Sequence, residues 1–148
     1  MRATRIGAAA GLVLILVTVF SSVEAASGPG AGQAGSDLDR RVRTFLDAHA
    51  GRWRDMNISE ADGRILHDII VENGYTQALE IGTSTGRSGI WIAWALSKTG
   101  GKLITVEIDP GRHREAVANF REAGLDEFID ARLADAHELV PVLAGPFD

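Results

Sequence analysis

The feature that most constrains the fold is a short apolar run that leads into a glycine-rich turn, A-L-E-I-G-T-S-T-G-R-S-G at residues 78–89. Glycines at a strand-to-helix turn let the backbone approach a ligand closely and adopt positive φ. The free amides at the start of the following helix favour an anionic group such as a carboxylate. The pattern predicts a strand, a ligand-binding loop and a helix in that order.

The same alternation continues along the chain. The sequence predicts three strands at residues 77–81, 102–108 and 128–133, and helices at residues 88–96, 110–124 and 135–143. Asp109 and Pro110 cap and open the second of these helices, and Gly124 ends it. Strand and helix repeated three times are typical of an α/β fold, a parallel sheet with helices on both faces.

Two further helices are predicted before the first strand. The first has apolar residues at helical spacing: Leu38, Val42, Phe45 and Leu46. The second begins with a sequence similar to a capping box, Ser59 to Asp62, and ends at Asn73-Gly74. Its predicted buried stripe consists of Ile65, Leu66, Ile69 and Ile70.

The N-terminal 25 residues have the composition of an export signal. Arg2 and Arg5 precede a charge-free segment, residues 6–23, and small residues around Ala25 offer a cleavage site. We expect a signal peptide at 1–25 and export to the periplasm or medium; the alternative is a membrane anchor formed by residues 6–23. Residues 26–36 are predicted to be a glycine-rich linker, so the folded domain is expected at 37–148.

Composition excludes several classes of function. The net charge of −5 gives no basic face for nucleic acid, and no stable membrane contact is expected beyond the N-terminal signal. The absence of cysteine excludes disulfides, thiolate catalysis and cysteine-ligated zinc. His49, His67 and His113 have no partners at metal-ligand spacing and are interpreted as solvated surface residues.

An acidic residue at the end of the second strand makes the glycine loop more informative. Glu107 follows Gly82 by 25 positions, and in doubly wound folds a carboxylate there accepts hydrogen bonds from ribose hydroxyls. A dinucleotide fingerprint would need glycine at the positions of Ser84 and Arg87. Glu80 would instead face an ammonium group and Ser88 a carboxylate. Together they indicate S-adenosylmethionine (SAM).

Four ordered blocks resemble one known family. They are M-N-I-S-E-A-D-G-R-I-L at 56–66, L-E-I-G-T-S-T-G-R-S at 79–88, I-T-V-E-I-D-P at 104–110 and A-D-A-H-E-L-V-P at 134–141. They are similar to segments of catechol O-methyltransferase and its bacterial relatives, the class I SAM-dependent O-methyltransferases of family 3. The resemblance implies a Rossmann-like methyltransferase fold, of which this chain would hold only the N-terminal half.

The resemblance also implies a set of cofactor-binding residues. The backbone near Ile58 and the side chain of Ser88 would hold the methionyl carboxylate, Glu80 would lie by the amino group, and Glu107 would bind the ribose. Ile108 would pack on the adenine, whose edge Asp135, Ala136 and His137 would line. The loop itself contributes Gly82, Ser84 and Gly86.

The family's catalytic apparatus is a divalent metal, expected to be Mg²⁺, held by two aspartates and an asparagine beside a lysine base. These residues would fall at or beyond Asp148, so we assign no catalytic or metal-binding residue, and we expect residues 26–148 alone to be unstable and inactive. The implied partners are a small hydroxylated, catechol-like acceptor and a second copy in a homodimer. Two alternatives stay open: an exported, non-catalytic nucleoside-binding remnant and an NAD-type oxidoreductase.

Overall fold

The computed structural model describes residues 30–148; the predicted signal peptide, the alternative anchor at 6–23 and linker residues 26–29 lie outside them. Three parallel strands form one sheet in the order β1-β2-β3, namely β1 Gln77–Ile81, β2 Lys102–Glu107 and β3 Ile129–Leu133. Helices flank this sheet, so the predicted α/β, Rossmann-like fold is confirmed.

Five α-helices accompany the strands: α1 Gly30–Ala48, α2 Glu60–Asn73, α3 Arg87–Thr99, α4 Pro110–Ala123 and α5 Ala136–Leu139. Two 3₁₀ turns cover Asp126–Phe128 and Val140–Val142. Within residues 30–148, no helix is both long enough and apolar enough to cross a bilayer.

The predicted linker at 26–36 is wrong for residues 30–36, which belong to α1. Val42 and Phe45 are buried and fix the later turns of α1 on the core. Once those turns are fixed, each residue added upstream gains a hydrogen bond without a new nucleation step. The helix therefore extends into the glycine-rich sequence despite its low helix propensity.

Helix α2 begins and ends as predicted but turns a different face to the core. Ser59 forms the capping box with Asp62, and Gly74 ends the helix in the left-handed conformation. Ile65 and Ile69, however, are 56% and 45% exposed, whereas Gly63 is buried. A Cβ at Gly63 would come within 2.3 Å of the indole of Trp91. The glycine thus lets the indole pack directly on the helix backbone, which orients α2.

Two smaller expectations are also corrected. The helix predicted over 135–143 is α-helical only from Ala136 to Leu139, because Pro141 lacks an N–H and its ring disfavours a continuing α-helix. The side chain of His67 is only 16% exposed and packs 4.8 Å from the ring of Trp94, so it is not a solvated surface residue. His49 stacks on Phe45, with ring centroids 4.0 Å apart.

The core lies between the sheet and helices α1 to α4. One buried cluster joins α1, α3 and α4 around Ile90, Trp94 and Phe120, and a second joins α2, α3 and β2 around Leu96 and Leu103. Beyond the last 3₁₀ turn the chain returns to the free edge of β1, where Asp148 N donates to Gln77 O at 2.9 Å. Because the three strands are parallel, their carboxyl ends meet along one edge of the sheet, and the glycine loop lies at that edge.

Candidate functional site

The glycine loop leaves β1 in an unusual backbone conformation. Gly82, Ser84 and Gly86 have φ values of 91°, 50° and 96°. The amides of Gly82 and Thr83 donate to Val106 O at 2.9 and 3.3 Å, and Gly86 N donates to Thr83 O at 2.9 Å. These bonds draw the loop against β2, and residues 83–86 are buried.

Glu107 joins the end of β2 to this loop. It is 5% exposed, and one of its carboxylate oxygens accepts from Ser84 N at 2.8 Å. The other oxygen accepts from Ile108 N and Asp109 N at 3.0 and 2.9 Å. An ionised carboxylate offers about four lone-pair sites. Three are used, so Glu107 keeps acceptor capacity for a ligand hydroxyl.

Glu80 lies behind the loop, between β1, β2 and α3. Its carboxylate accepts hydrogen bonds from the hydroxyls of Ser88 and Thr105, the latter at 2.6 Å. Since Thr105 donates to Glu80, its oxygen is left to accept from Thr83 at 2.6 Å. Burial raises the pKa of Glu80; the two hydrogen bonds oppose that rise, and the charge of Glu107 adds to it. Glu80 is thus a buried carboxyl group connected to the loop through hydroxyls.

Residues 53–58, which we call the strap, connect α1 to α2 and lie against the glycine loop. Asn57 donates through Nδ2 to Thr85 Oγ1 at 2.9 Å and accepts from Arg87 N at 3.4 Å. Arg87 Nη1 donates to Ile58 O at 2.8 Å, and the guanidinium lies 5.6 Å from the ring centre of Trp53.

A cleft of about 170 Å³ opens at the other end of the loop. Its lining includes Gly82, Glu107, Ala136 and Ile108, the last of which is 66% exposed. Asp135 lies beside them and caps α5 by accepting from His137 N at 2.8 Å. The cleft thus brings together the residues that are predicted to bind the adenosine.

The ten predicted cofactor residues therefore fall into two groups. Five line the cleft: Gly82, Glu107, Ile108, Asp135 and Ala136. The other five lie in the loop, behind it or in the strap: Ile58, Glu80, Ser84, Gly86 and Ser88. Ser88 is bonded to Glu80, so contact of either side chain with a ligand would require that bond to rearrange. The role of each residue stays a prediction.

Sequence reasoning missed the residues that tie the loop to its surroundings. Thr83 and Thr105 link it to Glu80, and Asn57 and Arg87 link it to the strap. All four lie within the recognised blocks, but the blocks do not show these contacts, because the partners lie 22 to 30 positions apart. Within residues 30–148, no group of three His, Cys, Asp or Glu side chains could hold a metal ion. The Mg²⁺ site, which is expected only at or beyond Asp148, stays a prediction.

Fold and site together define a class of protein. A glycine loop at the carboxyl end of the first parallel strand, with a carboxylate at the end of the neighbouring strand, is the arrangement by which Rossmann-like domains bind nucleosides. A sequence model of the O-methyltransferase family matches residues 37–144. The chain belongs to this O-methyltransferase family.

Individual relatives agree with that assignment. The chain is 37% identical over 97 residues to a catechol O-methyltransferase of Niastella koreensis, covering 63% of this chain and 43% of that protein. It is 33% identical over 104 residues to a human transmembrane O-methyltransferase, covering 69% and 35%. The chain thus spans less than half of the length of either relative.

Solved structures give the same result for the fold. An O-methyltransferase of Bacillus cereus in complex with SAH (S-adenosylhomocysteine) matches with a TM-score of 0.61 and 27% identity, over 78% of this chain and 56% of that chain. An O-methyltransferase of tomaymycin synthesis from Streptomyces achromogenes, in complex with SAM, matches with a TM-score of 0.62 and 30% identity, over 74% and 51%.

Proposed function

We propose that the protein is a SAM-dependent O-methyltransferase and that the described residues form its cofactor-binding part. One observation carries the choice of cofactor: the glycine loop uses its own amides internally. The amides of Gly82, Thr83, Ser84 and Gly86 all donate to protein oxygens. A phosphate-binding loop instead presents such amides to its ligand.

The charges around the loop favour the same cofactor. Glu80, where it is ionised, places negative charge behind the loop, which repels a pyrophosphate and attracts a cationic ammonium or sulfonium group. SAM carries both of those cations. This argues against the NAD-type oxidoreductase alternative.

Two residues have defined tasks in this proposal. Glu107 accepts a hydrogen bond from a ribose hydroxyl with the acceptor capacity that its backbone bonds leave free. Gly82 keeps space open above the loop, since a Cβ built there meets no atom within 4 Å. The ligand's aliphatic chain passes through that space.

The acceptor is proposed to be a small hydroxylated molecule, of which a catechol is the first candidate. Support comes from the name of the Niastella koreensis relative, a catechol O-methyltransferase. In the reaction the methyl group passes from the sulfonium sulfur to the acceptor oxygen, the hydroxyl proton leaves, and SAH remains. The Mg²⁺ expected with residues at or beyond Asp148 would lower the pKa of that hydroxyl.

A transfer assay tests the proposed function. The full gene product would be incubated with SAM labelled in its methyl group and with catechol, phenol or no acceptor, with and without Mg²⁺. We expect label in a methylated catechol. Absence of transfer to any hydroxylated acceptor, from protein that still binds SAH, would favour a non-catalytic nucleoside-binding protein instead.

Export is proposed as well, on the basis of the basic start, the charge-free segment 6–23 and the cleavage site after Ala25. The membrane-anchored form is the alternative. Since SAM is made chiefly in the cytoplasm, an exported enzyme would have to obtain its cofactor there before export or from its surroundings.

A further inference from the structure

The strap lies at one end of the glycine loop and the adenosine cleft lies at the other. Gly82 and Glu107 line the cleft, whereas the strap contacts Thr85 and Arg87. We infer that a cofactor with its adenosine in the cleft extends along the loop toward the strap. Under the proposed function, the amino-acid end of the cofactor therefore lies at the junction of strap and loop.

Side chains, and not backbone pairing, hold the strap in place. In the described part of the chain, the backbone–backbone hydrogen bond that the strap makes lies within the strap itself, from Asn57 N to Asp55 O at 3.1 Å. Met56 is 94% exposed. Segments with exposed backbone and few buried contacts open at low free-energy cost. Trp53 and Ile58 also pack against the core, and Asp55 pairs with Arg112. The hydrogen bonds between the strap and the glycine loop, however, run through Asn57 and Arg87.

The junction also contains buried donors that lack an acceptor. Arg87 Nε and Trp53 Nε1 are both inaccessible and make no hydrogen bond. A buried donor without a partner is unusual and calls for an explanation. Arg87 is also the first residue of α3, where the helix dipole favours a negative group. The cationic charge and the helix start suit a carboxylate, which would reach the buried donors only after the guanidinium or the indole moves.

We propose that Arg87, held by Asn57, is a specificity-determining residue for the carboxylate at the amino-acid end of the cofactor. Its Nη1 fixes Ile58 through the carbonyl oxygen, and its charge attracts the carboxylate. This inference rests on the proposed function and adds a residue to it. The adenosine end, which is bound in the cleft, does not depend on Arg87.

Two ligands distinguish the amino-acid end of the site from its adenosine end. SAH carries the amino-acid group, and 5′-methylthioadenosine has the same adenosine and thioether without it. We expect Arg87→Met in the full gene product to weaken the binding of SAH at least about tenfold, which corresponds to the loss of one charge-assisted hydrogen bond. The affinity for methylthioadenosine should change less than about threefold. Asn57→Ala should show the same selectivity, and it tests the inference if the arginine variant fails to fold.

Arg64→Met is the matched control. Arg64 also lies over an indole, 6.0 Å from the ring centre of Trp91, but its ion pair is with Glu60 on α2. The Arg64→Met variant should leave the affinities for SAH and for methylthioadenosine unchanged. Hydrogen exchange of residues 53–58 should be faster in the Arg87 and Asn57 variants than in the control.

The outcomes are distinct. Equal losses for SAH and methylthioadenosine, or no loss for SAH, would overturn the role of Arg87 while leaving the proposed function intact. A parent protein that binds neither ligand would refute the proposed function, and this inference with it.

Discussion

Replacing Glu107 by glutamine removes one negative charge from the end of β2 while keeping the size and shape of the side chain. In the parent structure one carboxylate oxygen accepts from Ser84 N, and the other accepts from Ile108 N and Asp109 N. A glutamine amide has a single oxygen. If that oxygen takes the two adjacent bonds, its NH₂ group faces the amide of Ser84.

The expected magnitude follows from that mismatch. A buried donor left without an acceptor costs about 1–3 kcal/mol, so the free energy of unfolding should fall by that amount. The ribose hydroxyls lose a charged acceptor as well. A hydrogen bond to a charged group is worth about 1.5–3 kcal/mol, which corresponds to a Kd for SAH raised about 10- to 150-fold. Glu107→Ala should weaken SAH by a similar amount.

Urea unfolding and calorimetric titration with SAH measure the two effects separately. Glu72→Gln, a substitution of an exposed glutamate on α2, is the control and should change neither quantity. If Glu107→Gln has the same free energy of unfolding and the same Kd for SAH as the control, Glu107 neither anchors the loop nor contacts the ribose.

Three further predictions concern the loop, the buried carboxyl group and the N-terminus. Gly82→Val should abolish SAH binding, because its side chain fills open space, and should also lower the melting temperature, because φ at this position is 91°. Gly86→Ala should lower the melting temperature, because its Cβ would lie 2.7 Å from an aromatic carbon. Since burial raises the pKa of Glu80 above 4.5, stability should fall as pH rises from that value through the folded-state pKa. Glu80→Gln should remove this dependence from urea midpoints measured between about pH 4 and 8. N-terminal sequencing of protein from the producing cell should give Ala26 first, after cleavage behind Ala25.

Each of these predictions has a contrary result. Normal SAH binding by Gly82→Val would place the ligand elsewhere, and an unchanged melting temperature for Gly86→Ala would contradict the tight packing of the loop. An identical pH profile for Glu80→Gln would mean that another group causes the slope. Met1 on soluble cytoplasmic protein would contradict export.

Local signals in the sequence predicted the strands and helix ends well. The capping box at Ser59, the stop at Gly74 and the Asp109-Pro110 start depend on neighbouring residues, and the structure has all three. The buried face of α2 was predicted wrongly in part, because a hydrophobic stripe does not show which partner it meets. Gly63 accommodates the indole of Trp91, and that contact overrides the isoleucine pattern.

The candidate site, too, was predicted only where its features depend on local sequence. The glycine loop and Glu107 were found because their spacing along the chain follows from the strand-loop-helix geometry. The hydrogen bonds through the hydroxyl of Thr105, and those that Asn57 and Arg87 make between strap and loop, were not predicted. They join residues from separate elements. Such contacts depend on tertiary packing, which a single sequence does not reveal.

The central claim is that the loop holds an adenosyl amino acid and not a dinucleotide. Calorimetric titration of the full gene product with SAH and with NAD⁺, under the same conditions, tests it most directly. Saturable one-to-one binding of SAH, with no measurable heat from NAD⁺, is the expected result. Tighter binding of NAD⁺ than of SAH would contradict the claim.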